Sequence, residues 1–134
     1  LAALGRWLGQ RKLLPGRLST AAMQAPTLPF QSFRSAHADA QRDPNTGALV
    51  FPARGERKRK VALFTGCLAD QMFAGVNTAT VEVLTRNGCE VHVVAEERCC
   101  GALHIHNGAR DDAKELARDN VRAFNAGNYD AIVS

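Results

Sequence analysis

Four cysteines carry the reactive potential of this 134-residue chain: Cys67, Cys89 and the adjacent pair Cys99 and Cys100. All lie within residues 61–108. Neighbouring Cα atoms stand about 3.8 Å apart, below the roughly 4.4–6.8 Å of an ordinary disulfide, so a bond within the pair would be strained. Two neighbouring thiolates directed at a metal or cluster avoid that strain. Gly66 precedes Cys67 and Gly101 follows Cys100, so backbone can approach closely and offer N–H groups to sulfur. A helix starting after the pair would favour thiolate at Cys100. Cys67, Cys99 and Cys100 are therefore candidate ligands of an iron–sulfur or related thiolate site. Zinc is the competitor, with His104 or His106 as a fourth ligand. Cys89 follows Asn87-Gly88 and reads as a small apolar residue, and His92 reads as structural.

These thiols need elements to hold them. Val61-Ala-Leu-Phe64, Glu90 to Ala95 and Ala131-Ile-Val133 are short apolar or alternating runs, as expected of strands. Met72, Val76, Ala79 and Val83 recur at helical spacing before Asn87-Gly88, a helix stop. Ala113, Ala117, Val121 and Phe124 mark a second helix, with Asp111 and Asp112 where the macrodipole favours acids and Gly127 at its stop. Asp111–Lys114, Glu115–Arg118 and Asp119–Arg122 are expected ion pairs on its wet face. The order β-α-β-α-β predicts an α/β fold, a partial Rossmann-like parallel sheet. Ligands of such sheets bind beyond the carboxyl ends of the strands. Cys67 and the Cys99–Cys100 pair follow adjacent strands about 4.8 Å apart, so both loops should share one edge. The third strand leads to the same edge and the sequence ends at Ser134, so we read the chain as a fragment.

Charge divides the chain. Residues 1–60 carry eleven Lys or Arg and three acids, a net of +8, whereas residues 61–134 carry six and ten, a net of −4. The basic arm reads as a solvated linker rather than a nucleic-acid or membrane contact. Its first acid is Asp39, and its start has the composition of a mitochondrial transit peptide. Apolar residues at 1, 4, 8, 13 and 14 predict a short helix, and Pro15 to Pro52 reads as an irregular connector. Glu56 to Lys60, ERKRK, reads as a polar cap on the first strand. No apolar run is long enough to cross a membrane. Thr65-Gly-Cys-Leu is not a dinucleotide fingerprint, and no residue stands out as a general base.

The motifs TGC at 65–67, CCGAL at 99–103 and His106-x-Gly108 together resemble the CCG cysteine-rich domain family. That family includes the glycolate oxidase iron–sulfur subunit, lactate-utilisation iron–sulfur proteins, the anaerobic glycerol-3-phosphate dehydrogenase anchor subunit and the cysteine-rich subunit of heterodisulfide reductase. The run FPARGERKRKVALFTGC at 51–67 looks most like the glycolate oxidase iron–sulfur subunit. The resemblance divides the chain into a linker at 1–58 and a CCG domain at 59–134, truncated at its C-terminal end. It implies Cys67, Cys99 and Cys100 as ligands of an iron–sulfur cluster, of the 4Fe-4S type, with Gly66 and Gly101 beside them. It also implies electron transfer from a flavoprotein partner of a 2-hydroxy acid oxidase toward a membrane acceptor, in the cytoplasm or at the inner face of its membrane, with no nucleic-acid role. The family's later cysteine stretch is missing from the residues after Cys100, so the ligand set here is expected to be incomplete and the fragment inactive alone. Alternatives are a thiol/disulfide reductase of the heterodisulfide reductase type and a non-catalytic subunit-docking module.

Overall fold

Val61, Ala62 and Leu63 are each buried, and they alternate between two cores. They belong to β2 (Arg59–Leu63), the central strand of a computed structural model that describes residue 20 and residues 31–134. The helix expected over residues 1–14 lies outside the described residues. Residues 31–134 form one compact unit. Its further elements are α1 (Phe33–Ala36), β1 (Leu49–Phe51), α2 (Cys67–Met72), α3 (Ala74–Arg86), β3 (Cys89–Val93), α4 (Ala102–His106), α5 (Arg110–Asn125) and β4 (Ala131–Val133).

The sheet order is β1-β3-β2-β4. β2 pairs in parallel with β3 (Val61↔Val91, Leu63↔Val93) and with β4 (Val61↔Ala131, Leu63↔Val133). A strand covered on both faces must be apolar at successive positions, which explains the unbroken Val-Ala-Leu run. Val61 and Leu63 join Val91, Val93 and Val81 of α3 on one face, whereas Ala62 joins Ala123 and Phe124 of α5 on the other. The two helices therefore cover opposite faces. The chain steps from β2 through α3 to β3, then back past β2 through α5 to β4. Crossovers of one hand that step in opposite directions put their helices on opposite faces.

Two short elements lie within the stretch read as a connector. Phe33 of α1 is fully buried, its ring centroid 4.6 Å from His37 and 6.0 Å from Phe51. β1 pairs antiparallel with β3 (Leu49↔Val93, Phe51↔Val91). Asp43 sets the turn before it, accepting from the backbone N–H groups of Asn45 (2.9 Å) and Thr46 (3.1 Å). A one-turn helix and a three-residue strand contain no period to detect, so the sequence alone does not announce them.

The helix faces also differ from the apolar stripes in the sequence. The chain breaks at Phe73, separating α2 from α3, and Val76 and Val83 are exposed. The buried line of α3 is Asn77, Val81 and Thr85. Val121 of α5 is exposed, while Ala113, Ala123 and Phe124 are buried. Of the ion pairs expected on α5, Asp111–Lys114 and Asp119–Arg122 form, and Glu115–Arg118 does not.

Candidate thiolate site

β2 and β3 are neighbours whose following helices go to opposite faces, so the loops beyond their carboxyl ends diverge. Such a point in an open sheet leaves a crevice where ligands sit. Cys67, first residue of α2, and Cys99, in the loop after β3, meet there with their Sγ atoms 3.7 Å apart. Cys67 and Cys100 are exposed and Cys99 is half-buried.

The glycines serve this meeting differently. Gly66 has φ 69° and precedes α2, and a Cβ there would make only ordinary contacts, so its backbone angle is what favours glycine. Gly101 has φ 78°, and a Cβ would also stand 3.3 Å from Ala113 Cα. It lets the loop after the cysteine pair lie directly against α5.

The two thiols are tuned apart. The Gly101 N–H, followed by the Cys67 thiol, holds Cys99 below the usual thiol range. Burial, followed by its hydrogen bond to Cys99, raises Cys67. The pair therefore favours a thiolate at 99 that accepts from a thiol at 67.

Cys89 and His92 lie away from the thiol pair. Cys89 opens β3 in register with Arg59, at the edge away from the crevice, and packs against the α3-side core. His92 is buried, with Nε2 3.0 Å from Glu90 Oε1 and its ring 5.5 Å from Tyr129. His104 lines a crevice with Cys99, and its Nδ1 is buried with no hydrogen-bond partner among the described residues. His106 is exposed on α4.

Four residues that residue types and spacing do not single out build the loops. Asn77 of α3 donates to Thr65 O (3.3 Å), bracing the loop before Cys67. Asn120 of α5 accepts from Arg98 N–H (2.8 Å) and donates to Cys99 O (3.2 Å), bracing the other loop. Each sits on its helix's inward face, which explains why that face is not the most apolar one. Glu97 and Arg34 join the two loops. A polar residue within a buried helical line was the available signal for the asparagines, and nothing in the local pattern marked Arg34.

In kind, the donor set suits an iron–sulfur group, whose usual ligand is cysteine thiolate. Two thiolates on one tetrahedral metal stand about 3.8 Å apart for metal–sulfur bonds of about 2.3 Å, close to the separation here. In number it falls short. Among the described residues no three His, Cys, Asp or Glu side chains gather closely enough to hold a metal ion, and the thiol contact formed is that of Cys67 with Cys99.

The fold brings two cysteine loops to one edge of the sheet, and comparison with known proteins gives the class. The cysteine-rich domain (CCG) family matches residues 61–134, more than half of the chain, and the chain belongs to that family. It is 36% identical over 126 residues to a Bacillus subtilis protein named "Probable glycolate oxidase iron-sulfur subunit", covering 94% of this chain and 26% of that one. It is 37% identical over 87 residues to an iron–sulfur protein of Methanocaldococcus jannaschii, covering 65% and 18%. It is 41% identical over 70 residues to lactate utilization protein A of Geobacillus thermodenitrificans, covering 52% and 29%. The chain thus spans less than a third of the length of each of these curated relatives. No solved structure matches it.

Proposed function

We propose that the chain is the thiolate-bearing part of an iron–sulfur electron-transfer subunit in a glycolate or related 2-hydroxy acid oxidase. The observation that carries this is the 3.7 Å approach of Cys67 to Cys99 at the divergence of β2 and β3. The names of the B. subtilis and lactate-utilisation relatives support the substrate class. Cys67, Cys99 and Cys100 would hold the cluster, with further ligands supplied from outside this chain. A bound cluster, of the 4Fe-4S type in this reading, supplies one-electron transfer at a potential set by thiolate ligation, hydrogen bonds and burial.

The protein's own part is to place sulfur and partial charge. Gly101 N–H holds negative charge on Cys99, and the glycine before Cys67 turns the chain so that its thiol faces the crevice. Electrons would arrive from a flavoprotein partner and leave toward a membrane acceptor. No described helix is long and apolar enough to cross a membrane. In this reading the contact with that acceptor is peripheral, at the inner face of the cytoplasmic membrane. Iron and acid-labile sulfide analysis of the anaerobically purified full-length protein tests the assignment. Cys99→Ser should abolish the visible chromophore, and a spectrum unchanged by that substitution would reject it.

A further inference from the structure

A carboxylate joins the two cysteine loops two residues upstream of each thiol. Glu97 precedes Cys99 by two positions, and Thr65 precedes Cys67 by two. Glu97 Oε1 accepts from Gly66 N–H (2.8 Å) and from Thr65 Oγ1 (3.1 Å), and Oε2 accepts from Thr65 N–H (3.0 Å). Its side chain is only 5% exposed. A buried carboxylate is costly unless a positive partner and hydrogen bonds compensate it. Arg34 is that partner. Its Nη2 reaches Glu97 Oε2 at 2.7 Å, Nε donates to Thr65 Oγ1 (3.2 Å) and Nη1 donates to Val94 O (3.0 Å). Asp70 of α2 in turn accepts from Arg34 N–H at 2.9 Å. The Thr65 hydroxyl thus accepts from Arg34 and donates to Glu97, and the carboxylate has four donor groups around it.

The sheet cannot do this job. Its register fixes β2 against β3 only as far as Leu63 and Val93, and beyond those residues the chains turn toward opposite faces. Something else must hold the loop ends together if the thiols are to meet.

We infer that Glu97, charge-paired by Arg34 and bridged by Thr65, is the positioning residue that sets the separation of the thiols at 67 and 99. The inference rests on reading those two thiols as metal ligands, but its test does not require the metal. Phenylarsine oxide bridges two thiols only when they lie close together. The metal-free full-length protein carrying Cys100→Ser is treated with it and cleaved with trypsin, which leaves residues 67 and 99 on separate peptides. Mass spectrometry then reads the 67–99 bridge. The parent protein should bridge readily. Glu97→Gln, Arg34→Met and Thr65→Val should each slow bridging by about tenfold or more, the scale on which outer-shell partners act at metal sites. Thr65→Ser, which keeps the hydroxyl, should restore the parent rate. Circular dichroism screens each variant for folding, and the Arg34 and Thr65 variants decide the matter if Glu97→Gln does not fold. Bridging within twofold of the parent in the folded variants overturns the inference, and so does a parent that fails to bridge. A parent that bridges but takes up no iron rejects the cluster reading and leaves the clamp supported.

Discussion

Cys67 and Cys99 are one residue type in one crevice, yet their surroundings push them in opposite directions. At Cys99 the Gly101 N–H stabilises the anion, while at Cys67 burial penalises it. Thiolate, not thiol, reacts with alkylating agents. A lowered pKa fills the thiolate at lower pH, so the iodoacetamide rate at Cys99 should reach its plateau at a lower pH than at Cys67. Peptide-resolved alkylation of the metal-free protein across pH 6–10 checks this, and reversed profiles would contradict the split. Cys99→Ser should remove the low-pH arm and, by removing the acceptor of its hydrogen bond, shift the Cys67 profile toward lower pH.

At the scale of elements, α3 and α5 each give up an inward apolar position to an asparagine that braces a cysteine loop. α1 makes a comparable link from the basic arm. Its Phe33 side chain is fully buried against the core that holds Leu63 and Val93, and the next residue is Arg34 of the clamp. Phe33→Ala should cost about 3–5 kcal/mol by urea denaturation, the usual size for a buried phenylalanine. It should also loosen the 67–99 thiol pair. A loss below about 1 kcal/mol, typical of a surface substitution, would mean that α1 does not belong to this core.

Across the whole molecule, the apolar residues left outside are as informative as the core. Val76 is 61% exposed and Val83 59% exposed, and with Gly75 and Ala79 they line a shallow apolar groove on α3. Side chains that exposed contribute little to the stability of the chain that bears them. Val76→Ser and Val83→Ser in the 134-residue chain should each change the unfolding free energy by less than about 0.5 kcal/mol. They should also lower binding of a hydrophobic dye. A loss of about 2 kcal/mol or more at either position would show that the stripe of Met72, Val76, Ala79 and Val83 faces inward after all.

Residue types and local spacing identify three parallel strands, two principal crossover helices and the two cysteine loops that meet. Each of those signals needs only neighbours in sequence: an apolar run at 61–64, Asn87-Gly88 ending a helix, two adjacent cysteines followed by glycine. Helix faces do not follow from the sequence, because a periodicity count cannot distinguish an asparagine placed inward to brace a loop from one in solvent. β1 escaped because three residues carry no period. Strand order was out of reach for a deeper reason: every crossover sequence is compatible with a step in either direction. Only the assembled sheet, with β2 in its centre and α3 and α5 on opposite faces, makes the loops part beside Cys67 and Cys99. The Arg34–Glu97 contact, spanning 63 positions, follows from that packing alone. Charge pairs at such range depend on where the backbone brings them, and no local preference of either residue encodes it.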